Sequence, residues 1–258
     1  MKIFSNQAYE LIRVLSINHL KIKYKRTSLG FAWSMLNPLL FISALSVIFS
    51  TLFNMPYLQF VLMFFPAFLA WNFFSSSVNT AAVSIISNES LLRKTPINTM
   101  IFPLVSVVIN FIEFILTFFV FIILAILTGY DITVHILVIP ISILLLLVFT
   151  IGFSLIISVI STYFRDVVYL VGILIQLWFY LSPIIYTKEF IFGKSEIIDI
   201  LMTVNPMVYI IDLFRMPISQ AKFIPFDILC TSAFISFVFL LLGIFIFNKN
   251  KYKLVHRI

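Results

Sequence analysis

Residues 27–88 run for 62 positions without a single Asp, Glu, Lys, Arg or His. A helix that crosses a bilayer needs about 20 predominantly apolar residues, so this block holds two such helices and the turn that joins them. A soluble domain does not leave that much apolar sequence uninterrupted. The rest of the chain agrees, with 62% hydrophobic and 10% charged residues, against roughly 45–50% and 25% in an ordinary soluble domain. The chain reads as an integral membrane protein. Its runs are too long, and too free of strict alternation, for membrane strands. Helices satisfy every backbone polar group internally, as hydrocarbon requires, so the expected fold is all-α.

Setting aside the charged and turn-rich stretches leaves six spans, at residues 34–53, 60–86, 100–127, 136–162, 168–186 and 228–248. Six spans put both termini on one side of the membrane. Of the 17 Lys and Arg, all but Lys188, Lys194, Arg215 and Lys222 fall on that side, and positive charge stays in the cytoplasm. Both termini are therefore expected to be cytoplasmic. The formal charge of +7 reports topology, and no nucleic acid partner is expected. The first apolar run begins near Ser34, beyond the usual signal of about 15–30 residues, so no cleaved leader is expected. The single cysteine, Cys230, lies in an apolar run and says nothing about redox compartment.

One segment precedes the six-span core. Residues 1–33 form a basic, mixed-pattern stretch, and residues 34–258 form one six-span domain with an outer segment at 187–225 and a tail at 249–258. On a helical wheel of residues 3–23, Phe4, Ala8, Leu11, Leu15 and Ile22 share a face, with Glu10, Arg13 and Lys21 away from it. This fits an amphipathic helix in the membrane interface; a simple basic anchor fits as well. Residues 87–99 form the one sizeable internal cytoplasmic loop. Ser87 or Asn88 is placed to cap a short helix through Leu92 that Pro96 would stop; a solvated hairpin is the alternative. A tight turn, Tyr163-Phe164-Arg165-Asp166, joins the fourth and fifth spans, and its adjacent charges suit either a pairing role or an interfacial anchor. Residues 187–227 are too apolar for a free loop. There 197–204 and 207–214 read as short helices, either dipping into the membrane beside a pathway or lying in the interface.

Few residues suggest chemistry. The three histidines are far apart, no metal-ligand spacing occurs, and neither a G-x-S-x-G nor a phosphate-binding G-x-x-x-x-G-K-[ST] is present. No catalytic residue, metal or cofactor is expected on this chain. Glu113 is the one acid inside a span, a functional candidate by default. It is placed either to carry a proton or hydrogen-bond a sugar, or to rest neutral in a polar crevice. Asn72, Ser76 and Asn110 are candidates to join it along a conduit. Most of the 31 Phe are assigned to packing, while Trp33, Tyr57, Tyr186 and Tyr209 fall where interfacial aromatics sit.

Several segments taken together resemble a known family. Residues 25–38 (KRTSLGFAWSMLNP) resemble the start of the first span in polysaccharide-export permeases of the ATP-binding-cassette class. Residues 93–103 match their loop into the third span, Tyr163-Phe164-Arg165-Asp166 their turn before the fifth, and 181–186 (LSPIIY), Asn205-Pro206 and Arg215 the region before their last. The motifs occur in order over nearly the whole chain. The resemblance implies a homodimer of permeases on two separate ATPase subunits, which would carry ATP and magnesium. It implies coupling to the ATPase through Glu89, Leu91, Leu92, Arg93, Lys94 and Pro96, with Arg165 and Asp166 in the second turn. It implies an outer gate around Asn205, Pro206 and Arg215. The substrate would be a lipid-linked glycan such as O-antigen or teichoic acid, exported across a bacterial cytoplasmic membrane. Lys23, Lys25, Arg26 and Arg93 form a basic rim suited to draw in its pyrophosphate. The rival readings are a permease of the same class for a drug or small lipid, a proton-coupled transporter using Glu113, and a lipid-modifying membrane enzyme, for which no clustered polar residues are found.

Overall fold

A computed structural model describes residues 6–25, 30, 32–95, 97–131 and 133–257. It is all helical, with no strand among the described residues. The elements are α1 (Asn6–Tyr24), α2 (Ala32–Leu52), α3 (Tyr57–Ser84), α4 (Glu89–Lys94), α5 (Ile101–Leu127), α6 (Ile139–Tyr163), α7 (Val167–Tyr180), α8 (Lys188–Ile191), α9 (Glu196–Val204), α10 (Pro206–Ser219) and α11 (Phe226–Arg257). One-turn 3₁₀ segments, Ile86–Asn88 and Val134–Val138, lead into α4 and α6.

Five helices, α2, α3, α5, α6 with its 3₁₀ lead, and α11, are long and apolar enough to cross a membrane; α9 and α10, bent by 76°, count as a sixth if taken as one span. The expected fifth span at 168–186 is shorter. Fourteen residues of α7 rise about 21 Å, less than the roughly 30 Å of hydrocarbon. The helix ends at Tyr180, because Pro183 removes a donor and forces its neighbour out of helical geometry. The chain then turns, and α9 and α10 fold back toward the bundle, the short-helix arrangement expected of 197–204 and 207–214.

The most buried span is α3. It packs against α2, α5, α6, α7 and α10, and Phe60, Phe64, Phe73, Phe74, Phe149 and Phe214 are completely enclosed around it. These rings meet edge to face, tilted and offset, with centroids 5.2–6.2 Å apart, so the buried aromatics serve packing. Helices α6 and α11 approach more closely than side chains allow. A Cβ on Gly152 would lie 2.4 Å from the backbone carbonyl of Phe239, and one on Gly243 would lie 2.4 Å from the carbonyl oxygen of Gly152. Elsewhere on the two helices Ser154, Ser158 and Ser236 are fully buried. Small residues at such a crossing let dispersion and carbonyl contacts replace the absent hydrophobic drive between helices in lipid.

One end of the bundle gathers its own core. Ile85, Leu92, Met100, Phe102, Leu155, Val159, Phe247 and Leu254 pack together, with Leu15, Leu91 and Tyr163 against them. The helix α4, the α6–α7 turn, the start of α1 and the end of α11 therefore share this end. From here α1 climbs beside α5. Leu11, Ile12 and Leu15 pack on Ile97, Ile101, Val105 and Ile109, while Lys23 reaches Glu113. Twelve residues on each helix rise about 18 Å, so the two run side by side in the same direction. Ile22, expected on the packed face, is 73% exposed; Phe4 and the side chain of Ala8 lie outside the described residues.

Candidate functional site

Glu113 lies at the level where α2 begins, since Ser34 and Pro38 of α2 line the same small cavity as Glu113. The 27 residues of α5 extend about 40 Å, about 10 Å beyond a bilayer core. The acid sits three turns up from the first residue of that helix, close to its middle, where an ionisable side chain is costly unless it is paired.

This cavity, about 30 Å³, is lined by Asn72, Ser76, Asn110, Glu113 and Thr117 together with Leu69, Phe73 and Phe114. The structure thus brings together all four conduit candidates, from α3 and α5, beside the first turns of α2. The amide of Asn110 donates to Thr80 Oγ1 at 3.0 Å and to the Ser106 carbonyl at 2.8 Å, tying α5 to α3. The spans supply no cation to Glu113. Its partners come from α1: Lys23 Nζ lies 2.6 Å and Tyr24 OH 2.8 Å from Oε1. Partial burial pulls the Lys23 ammonium down, but the hydrogen bond and charge of Glu113 outweigh it, and the net shift is upward from 10.5. The part of the pair's contribution that depends on the Lys23 proton is therefore complete below 10.5 and is lost as pH climbs past the raised value, so Lys23 stays charged at any physiological pH. Tyr24 is also raised, by burial first and then by its bond to Glu113.

Lys23 was expected on a free basic rim with Lys25, Arg26 and Arg93. The structure engages two of these cations, Lys23 with Glu113 and Arg93 with Glu89 at 2.8 Å. Lys25 is exposed at the end of α1, and Arg26 lies outside the described residues.

At the bundle end described above, α4 is a six-residue helix. Leu92 is its buried anchor and Leu91 a partly buried neighbour, while Glu89 and Arg93 pair across one turn on the outer face. Such an exposed pair adds only a few tenths of a kcal/mol; the anchor holds the helix. Asn88 does not cap it with its side chain, and instead Nδ2 donates back to the Ser84 carbonyl at 2.8 Å. Lys94 is exposed, and Pro96 lies outside the described residues. Arg165 and Asp166 are exposed in the α6–α7 turn, whose Tyr163 hydroxyl hydrogen-bonds Asn250 Oδ1 at 3.0 Å.

Asn205, Pro206 and Arg215, expected at an outer gate, form the brace that holds α7 to α10. Asn205 Oδ1 accepts the N–H of Met207 at 3.0 Å, capping α10, and the indole N–H of Trp178 at 2.8 Å. Its amide donates to the Leu181 carbonyl at 3.1 Å and Ser182 Oγ at 3.0 Å. Pro206 occupies the first turn of α10, where a missing N–H costs nothing. Arg215 is 2% exposed. It donates to the carbonyls of Pro183 at 2.6 Å, Ile184 at 3.0 Å and Met63 at 3.4 Å. Replacing Asn205 with alanine strips the cap, worth about 1 kcal/mol, and orphans the Trp178 donor at roughly 1–3 kcal/mol more. A lower melting temperature with a red-shifted tryptophan emission is expected; an unchanged melt would contradict the brace.

With this geometry in place, comparison with known proteins becomes specific. Residues 10–219 match the family described as ABC-2 type transporter. The chain belongs to that family. The matched region spans α1 through α10 and so includes the polar cavity, α4 and the α7–α10 brace. Two proteins from Klebsiella pneumoniae, each an O-antigen export system permease protein RfbA, are 28% and 29% identical over 254 residues, covering 98% of this chain and 96% of theirs. A protein of the same name from Myxococcus xanthus is 30% identical over 196 residues, 76% of this chain and 75% of its own. This is a multi-pass membrane transporter subunit.

Sequence reasoning missed the Lys23–Glu113 pair, whose members are 90 residues apart, and the Gly152–Gly243 contact. Glu113 carried a signal as the lone acid of a span. Nothing in the order of residues signalled its partner.

Proposed function

We propose that this chain is the transmembrane subunit of an ATP-driven exporter that moves a lipid-linked polysaccharide of the O-antigen or teichoic-acid kind outward from the cytoplasm. The observation that carries this reading is α4, a short helix anchored by Leu92 at the end of the bundle, in a chain alike over nearly its whole length to O-antigen export permeases. The distribution of Lys and Arg supports a cytoplasmic position for that end and for both termini, and the likeness to bacterial permeases supports a bacterial cell membrane. There Glu89, Leu91, Arg93, Lys94, Arg165 and Asp166 offer a surface to a separate ATPase, which binds ATP and magnesium. Two copies form the conduit. Support for this comes from α2 and α7, which flank α3 and turn Leu40, Val47 and Ile48 on one and Leu170, Ile173 and Leu177 on the other away from the subunit core. In this cycle, nucleotide-driven closure of the ATPases pushes on α4, and the push reaches the polar cavity through α3 and α5, which flank it in sequence.

Leu92→Asp places a charge where α4 is buried, and deletion of residues 88–97 removes the lever. Both are expected to abolish glycan export while the bundle still inserts. The check is surface glycan in cells together with co-purification of the ATPase. Export at wild-type levels from the deletion would overturn the reading.

A further inference from the structure

A second, larger cavity, about 370 Å³, opens between α1, the end of α3 and the start of α5. This is within the size range of small-molecule sites, about 300–1,000 Å³. We propose that it holds the phosphate-bearing head of a membrane lipid, with Lys23 as the cation that recognises it and Glu113 as the internal acid that occupies Lys23 when the site is empty.

Three observations support this. The first is charge. Lys23 lines this cavity while bonding Glu113, which lines the smaller one. Its side chain is 50% exposed, and an ammonium has three donors. Glu113 takes one, which leaves donors for an anion arriving from the open side. His19 stands on the same wall; the hydroxyls of Ser87 and Ser106 and the amide of Asn88 donate to the carbonyls of Ser84 and Phe102, which leaves Lys23 as the chief donor. The second is shape. The lip carries Ile22, 73% exposed, and Val83, 38% exposed, which suit the first methylenes of an acyl or prenyl chain while the deeper wall takes the head. The third is depth. The cavity runs from Asn88, beside α4, up α5 to Asn110, one turn below Glu113, so it is long enough for a head at one end and the first part of a chain at the other.

Ser87 and Asn88 link this site to α4, which begins at the next residue. A phosphate on Lys23 releases Glu113 into the polar cavity and presses on the segment that carries α4, so an occupied site is felt at the ATPase face. The proposal rests on the export reading only for the identity of the lipid. A glycerophospholipid and a polyprenyl phosphate share the same recognised group.

The test is native mass spectrometry of the full-length chain, without ATPase, released from nanodiscs containing phosphatidylglycerol, undecaprenyl phosphate or a phosphate-free galactolipid. Wild type is expected to retain a phosphate lipid in preference to the galactolipid. Lys23→Gln and Val83→Trp, which fills the lip, are expected to weaken retention about five- to tenfold. Glu113→Gln, which frees Lys23, is expected to strengthen it. Stronger retention of undecaprenyl phosphate than of phosphatidylglycerol assigns the site to substrate, and the reverse assigns it to a resident lipid; both uphold it. Equal retention of all three lipids, or unchanged retention in all three variants, would overturn it. Because no ATPase is present, a failure of the export reading leaves this result standing.

Discussion

Arg215→Met is expected to cost this protein most of its folded yield. The side chain is the largest of those fully buried, and its guanidinium gathers carbonyls from three places in the fold: Pro183 and Ile184 in the turn after α7, and Met63 in α3. Hydrogen bonds from a charged donor contribute about 1.5–3 kcal/mol each, and a buried carbonyl left without a donor loses a similar amount. The two short bonds alone make the loss on the order of 3–5 kcal/mol, a large part of the roughly 5–15 kcal/mol that holds a typical protein folded. Methionine fills much of the volume and donates nothing. Arg215→Lys keeps the charge but offers a point donor in place of a fork, so it should fall between. Size-exclusion profiles and melting in detergent read both. A methionine variant that melts with the wild type would show that the brace does not hold α10 to α7 and α3.

The second large effect is expected from a single methyl group. Gly152→Ala puts a Cβ 2.4 Å from the backbone of Phe239, and Gly243→Ala puts one 2.4 Å from the carbonyl of Gly152. The atoms met are main chain, so no rotamer change relieves them, and α6 and α11 must separate. Overpacking of this kind costs about 1–3 kcal/mol, offset only partly by the better helix propensity of alanine, up to about 1 kcal/mol. Gly172→Ala in α7 supplies the control: the nearest atom is Asn79 Oδ1 at 3.9 Å, an ordinary contact, so propensity alone acts and the variant should be neutral or slightly more stable. The account requires Gly152→Ala and Gly243→Ala to melt below Gly172→Ala, and equal melts for all three would refute close backbone packing.

Much of the bundle was legible because the bilayer imposes a coarse rule. A charge-free run such as 27–88 has few options, and the spans at 34–53 and 100–127 match α2 and α5 within two residues. The fifth span was misjudged in extent. Hydropathy continues through Leu181–Tyr186, whereas Pro183 and the bonds of Asn205 and Arg215 end the helix at Tyr180, and only tertiary structure shows those bonds. For residues 87–99 the sequence left a short helix through Leu92 and a solvated hairpin both open; Asn88 does not cap the helix that forms, and its buried anchor, Leu92, has no local signal. For the candidate site, Glu113, Asn72, Ser76 and Asn110 stood out as polar residues in apolar helices, where polarity is costly and so informative. Lys23 belonged to a basic cluster in which any member looked alike. Only the side-by-side course of α1 and α5 selects it. Gly152 and Gly243 lie in different spans, and the alignment of two helices that makes them meet leaves no local pattern.

The central claim is that this bundle has no motor of its own and takes nucleotide-driven force through the end bearing α4. Its most direct test is reconstitution in sealed liposomes, with the chain alone and with its ATPase, following the transfer of a lipid-linked glycan between leaflets against a gradient. The account predicts transfer that needs ATP and the ATPase together, and none from the chain alone. Uphill transfer by the chain alone would contradict it.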